Sequence, residues 1–158
     1  MIYFYIVHSN NFGTAILEMK QPMEFGEKIM NISMHYNIEI DTERRIVVSK
    51  IYGMWKQETA LAYVEDYKEA VKPLLGGKWA RLINLSNWKS SYPDIVEIIN
   101  EHVRWSYENG AEYLAYAIDN PVLLRTLKKM VKIGRTTDTT KMFKTIEEAD
   151  QFLKDHGY

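Results

Sequence analysis

Tyr36-Asn37-Ile38-Glu39-Ile40 alternates apolar and polar residues, the pattern of a strand with one buried face. The polar turn Asp41-Thr42-Glu43-Arg44-Arg45 and the β-branched run Ile46-Val47-Val48-Ser49-Lys50-Ile51-Tyr52 complete a hairpin, which Gly53 is expected to end. From Gln57 the period lengthens. Ala60, Leu61, Val64, Tyr67 and Val71 recur at spacings of three and four, which predicts a helix stopped by Pro73 and Gly76-Gly77. Trp79-Ala80-Arg81-Leu82-Ile83-Asn84-Leu85 is a mostly apolar run of strand length, suited to a sheet covered on both faces.

Ser91-Tyr92-Pro93-Asp94 then reads as a helix start, with a capping serine, an early proline and a carboxylate at the capping-box position. The helix is expected to bury Ile95, Val96, Ile99, Val103 and Trp105, and to stop at Asn109-Gly110. Tyr113 to Ile118 forms another buried strand. Asn120-Pro121 opens a helix carrying Val122, Leu123, Leu124, Leu127, Met130 and Val131, ending at Gly134. Lys141-Met142-Phe143-Lys144 is a short strand, and Thr145 caps a last helix with Ala149, Phe152 and Leu153 on its apolar side.

Strands alternating with helices imply parallel crossovers, and the opening hairpin adds an antiparallel strand. The expected fold class is α/β: a mixed sheet of four to five strands, with a hairpin followed by repeated β-α units. Residues 1–35 break the pattern, because Pro22, Gly26 and the methionines Met23, Met30 and Met34 interrupt every period. Two readings fit them, an appendage on the domain edge or a poorly ordered extension, and the mobility of chain termini favours the second. The domain is expected to span 36–158.

Composition narrows the function classes. The 158 residues suffice for one domain with a real core, and 46% hydrophobic with 26% charged residues is ordinary for a globular protein. A net charge of −1 gives no global preference for nucleic acid or anionic membranes. Cysteine is absent, so disulfides, thiol catalysis and thiolate metal sites are excluded, and a reducing cytoplasm suits the chain. The apolar start Met1 to Val7 is too short for a membrane span or signal core, and the expected location is cytoplasmic.

Over 36–158, about four-fifths of the chain, this element order resembles the STAS family, named for sulfate transporters and anti-sigma-factor antagonists. Leu82-Ile83-Asn84-Leu85-Ser86 looks like that family's strand ending, and Lys141 to Ala149 looks like its last strand and helix start. The resemblance implies a divergent, stand-alone bacterial member. Family members of the antagonist type carry Asp-Ser-Ser-Gly at the next helix start, where a Ser or Thr is phosphorylated by a partner kinase. This chain has Trp88-Lys89-Ser90-Ser91-Tyr92-Pro93-Asp94 instead. Counted from Asn84, the acceptor position falls near Pro93 or Asp94, with Ser91 a few residues early.

Ser90 and Ser91 are therefore candidate phospho-acceptors or anion ligands, against the plainer reading that Ser91 only caps a helix. Asn84, Trp88, Lys89 and Tyr92 are candidates for a ligand or partner loop, since ligands dock at strand carboxyl ends, although such aromatics also pack back onto sheets. Trp55 fits either an exposed patch or the core. Arg125, Lys128, Lys129, Lys132 and Arg135, with Lys141 and Lys144 beyond them, form a basic surface for an acidic partner or simply a solvated face. Few aromatics interleave with these bases, so nucleic acid is not an expected partner.

His8, His35, His102 and His156 lack metal-ligand spacing, and no phosphate-loop, dinucleotide or hydrolase fingerprint occurs, so no cofactor and no catalytic set is expected. The leading expectation is a non-enzymatic regulatory module that binds a protein. The alternative is a small-molecule or lipid-binding protein with an apolar pocket near residues 86–93, and an unrecognised enzyme comes third. Pairing of the aromatic N-terminus is a route to a homodimer.

Overall fold

The alternation that starts at Tyr36 marks the second strand of a six-stranded sheet. The computed structural model describes residues 7–8, 15–16, 28–32, 35–91, 95–133 and 139–158. Two short strands, β1 (Val7–His8) and β2 (Ala15–Ile16), pair antiparallel with each other. The main sheet then runs in chain order: β3 (Lys28–Ile32), β4 (Tyr36–Asp41), β5 (Ile46–Trp55), β6 (Trp79–Ser91), β7 (Ala111–Ala117) and β8 (Thr140–Phe143). Pairing is antiparallel from β3 to β5 and parallel from β5 to β8. Four helices follow the parallel strands: α1 (Gln57–Ala70), α2 (Ile95–Glu108), α3 (Pro121–Ile133) and α4 (Ile146–Asp155).

The mixed sheet and its β-α units match the expectation, and the sheet gains one strand. Lys28–Ile32 pairs with Asp41–Asn37 residue for residue, so backbone pairing reaches back across the boundary drawn at residue 36.

Alternation along the strands divides the core in two. Ile38, Ile40, Val47, Ile51, Trp79, Ile83, Leu114 and Tyr116 face α1, α2 and α3. Ile46, Ala80, Leu82, Ala115 and Ala117 face α4, where Ala149 and Leu153 meet them. Three alanines on that side leave room for a single helix to approach closely. The larger layer holds the aromatics. Tyr63 of α1 sits among Tyr36, Trp55, Tyr67 and His102, with ring centroids 5.0 to 5.7 Å away. Such tilted and edge contacts add to the free energy of burial alone.

Three helix expectations change. In α1 the buried face is Ala60, Tyr63, Tyr67 and Ala70, whereas Leu61 is exposed and Val64 half-buried. In α2, Ile95 is buried, but Val96, Ile99, Val103 and Trp105 are only half-buried, and Asn100, His102 and Ser106 take the inner positions. In α3, Leu123 and Leu127 point inward, while Val122 lies outward. Trp55 is a core residue. The caps read from the sequence hold at two helices. Asn120 Oδ1 accepts from the amides of Val122 and Leu123, and Thr145 Oγ1 accepts from that of Glu148.

Candidate functional site

β6 is longer than its apolar run, and that length builds the site. It continues to Ser91 because β5 continues past Gly53 to Trp55, and the two stay paired throughout. Gly53 does not break the strand. Its φ of +64° lets it sit at a register irregularity where a side chain would be strained. A second irregularity lies just before it. Lys50 pairs with Asn84 but Tyr52 pairs with Asn87, so two steps on β5 oppose three on β6. The extra residue reverses the alternation. Ser86 and Asn87 are consecutively exposed, and Trp88 returns to the buried face of Leu85. Asn84 Oδ1 accepts from the Ser86 amide at 3.0 Å and holds the bulge.

Trp88 thereby closes over a cavity of about 70 Å³ between β6 and α2. The apolar lining comes from sheet and helix within the larger layer, with Leu85, Ile83 and Trp88 on β6 and Ile95, Ile99 and Val103 on α2. Polar groups enter through Arg81, His102, Tyr63 and Tyr116.

Arg81 is the unusual member. It is 3% exposed, in the strand that sequence pattern marked as a buried apolar run. Its Nη1 donates to Ser106 Oγ at 3.0 Å, its Nη2 contacts His102 Nε2 at 3.0 Å, and its guanidinium carbon lies 4.7 Å from the Tyr67 ring centroid. Among the described residues no carboxylate pairs with it.

A guanidinium only donates, so His102 Nε2 must accept, and the imidazole proton resides on Nδ1. Burial, then the neighbouring Arg81 and Lys68 charges, holds His102 well below the ordinary histidine range, in keeping with this neutral tautomer. Burial pushes Tyr116 up to about 12 and Tyr67 further still, so both phenols stay protonated. Among the described residues, Arg81 Nε, His102 Nδ1 and Tyr67 Oη are buried without a hydrogen-bond partner. Each such group costs on the order of 1–3 kcal/mol. Tyr63 is satisfied, its hydroxyl donating to Ser49 Oγ at 2.9 Å.

The sequence candidates fall in different places. Trp88 lines the cavity, Asn84 shapes the bulge, and Lys89 is exposed. Ser90 and Ser91 lie within β6, opposite Met54 and Trp55. Ser91 is thus a strand residue four positions before Ile95, the first described residue of α2; the pairing of β5 beyond Gly53 carries the strand that far, and the capping reading of Ser91 falls on residues 92–94, outside the described residues. The expected 86–93 loop is therefore strand as far as residue 91. Tyr92 lies outside the described residues. On α3, Arg125, Lys128 and Lys129 are exposed, and Lys132 lies on the same helix. Arg135 lies outside the described residues. Sequence reading missed Arg81, His102 and Tyr63. The available signal was a lone arginine inside an otherwise apolar strand of a sheet covered on both sides.

No helix among the described residues is long and apolar enough to cross a membrane. No protein-family model matches the chain, and no curated protein does. A solved structure does match in fold. It is a crystal structure of a Shewanella loihica PV-4 protein described as an uncharacterized member of the DUF3478 family with a SpoIIAA-like fold. The two share 10% identity with a TM-score of 0.53, over 85% of this chain and 98% of that one. With the hairpin, the three parallel crossovers and the helix layers already in place, this chain has a SpoIIAA-like, that is STAS-like, fold.

Proposed function

We propose that this chain is a non-catalytic binding module that takes one small, largely apolar molecule into the cavity beneath Trp88. The observation that carries the reading is the cavity itself, about 70 Å³ of space with mainly apolar walls in a core otherwise filled by large aromatic rings. Native interiors leave few voids larger than a water molecule, and this one has room for roughly two waters. It lies near the carboxyl end of a parallel strand, where open α/β sheets bind their ligands.

The test is a titration of the protein with 1-hexanol, followed by amide and indole NMR signals. Saturable shifts centred on Trp88, Leu85, Ile99 and Val103 are expected, and Val103→Phe, which fills the space from α2, should abolish them. Uniform shifts that never saturate would count against the reading.

A protein-binding role is a second reading, supported by the exposed Arg125, Lys128 and Lys129 of α3 beside Val122, which is 69% exposed. An acidic protein partner would fit that face. Affinity capture with the chain and with an Arg125→Glu, Lys129→Glu variant separates the two: a partner lost on charge reversal supports this role, and capture unchanged by reversal opposes it.

A further inference from the structure

We propose that the molecule bound in the cavity is a small aliphatic monocarboxylate, whose carboxylate is held against Arg81. This deepens the cavity reading above and rests on it.

The argument starts from charge balance. An arginine side chain remains protonated in a protein, and a fully buried positive charge ordinarily has an acid beside it. Among the described residues, the partners within reach are a serine hydroxyl, the acceptor nitrogen of a neutral imidazole, the Tyr63 hydroxyl and the Tyr67 ring. None carries negative charge. The other ionised group that acts on His102 is Lys68, also a cation. Among the described residues, the polar end of the cavity therefore holds a positive charge with no negative one beside it.

Hydrogen bonding points the same way. Among the described residues Arg81 Nε–H and His102 Nδ1–H are buried donors without an acceptor, behind the cavity wall to which both side chains contribute. A carboxylate is acceptor-only and carries two oxygens, which suits a site with donors in surplus and acceptors lacking. Ser106 already donates to the His102 carbonyl at 2.9 Å and needs nothing further.

Size and lining choose the rest of the molecule. About 70 Å³ is roughly half of an engineered cavity known to hold benzene, so the enclosed part suits a carboxylate with a few carbons. Leu85, Trp88, Ile95 and Ile99 offer the carbon chain apolar contacts. A phosphate dianion fits less well, since a single guanidinium leaves half of its charge unmatched.

The experiment compares hexanoate, 1-hexanol and inorganic phosphate by calorimetry at neutral pH, on the wild-type chain and on Arg81→Met. Wild type should bind hexanoate about ten- to hundred-fold more tightly than hexanol, the range of a charge-assisted hydrogen-bonded pair. That preference should vanish in Arg81→Met, with hexanol binding retained. Equal affinity for hexanol and hexanoate in wild type overturns the carboxylate and leaves the cavity reading standing. Binding of neither overturns both. Tighter binding of phosphate, or a hexanoate preference that survives in Arg81→Met, overturns the assignment as well. Should Arg81→Met fail to fold, the hexanoate-to-hexanol ratio of wild type and the Arg81 Nε NMR shift on adding hexanoate carry the test: a shifted Nε signal supports the contact, and an unmoved one overturns it.

Discussion

Arg81 Nη2 and His102 Nε2 stand 3.0 Å apart in the core, a buried cation resting on a neutral imidazole with no acid beside them among the described residues. The pair joins β6 to α2, and it forms the polar end of the cavity beneath Trp88. Such an arrangement is poor for stability, because desolvating a charge is not repaid by a neutral acceptor. Sites that depart from the best-packed solution are where function tends to reside.

That trade-off can be measured. Arg81→Met removes the charge and keeps an unbranched side chain of similar length, while leaving His102 Nε2 without its donor. The two effects oppose each other, and the ligand-free variant should be as stable as wild type or up to about 2 kcal/mol more stable. Urea unfolding midpoints with matched slopes report it directly. A loss of more than about 2 kcal/mol would mean that the guanidinium is a structural element in its own right.

His102 gives the core a pH dependence with a definite sign. Its folded-state pKa is depressed, mainly by burial, so the native protein resists the proton that the unfolded chain accepts. Unfolding then takes up a proton below the ordinary histidine pKa, and stability falls with falling pH from about 6.5 downward. Between about pH 7.5 and about pH 5.5 this one group should cost at most about 1.4 kcal/mol. His102→Gln keeps an acceptor for Arg81 and has nothing to titrate. Its stability should therefore lack that component over the same interval, whereas equal slopes in the two proteins would place the proton elsewhere.

The parts of this fold that follow local rules were legible in the chain. Thr145 and Asn120 cap their helices because a side-chain oxygen one position outside a helix has little else to do. The hairpin and the order of the parallel strands follow from pattern and punctuation. The site was hidden for reasons that are equally physical. Arg81 sits in a strand covered on both faces, where alternation carries no signal and every position reads as buried. Trp88 reaches the cavity through a bulge whose position is a property of two paired strands. On α1 the buried stripe is one step around from the apolar one, since Tyr63 is drawn in by Ser49 and the ring cluster while Leu61 is left outside. His102 carried no signal beyond its lack of metal-ligand spacing, and only the approach of β6 makes it a core acceptor.

Two glycines separate backbone strain from collision. Gly53 and Gly110 both have positive φ, +64° and +102°, so an added side chain is disfavoured at either. At Gly53 a Cβ would meet nothing within 4 Å, and Gly53→Ala should cost only the left-handed backbone penalty, about 1–2 kcal/mol. At Gly110 the same atom would fall 2.3 Å from the Gly77 carbonyl oxygen and 3.3 Å from Trp79 Nε1. Backbone cannot swing aside as a side chain can. The strand start is tied there as well, with the Trp79 amide donating to the Gly110 carbonyl at 3.0 Å and the Trp79 indole to the Asn109 carbonyl at 2.8 Å. Gly110→Ala should therefore cost about 3 kcal/mol or more, clearly above the Gly53→Ala effect. Thermal unfolding of the two variants beside wild type decides it. Equal losses would show that the turn between α2 and β7 yields, and that Trp79 does not pin the start of the strand that carries Arg81.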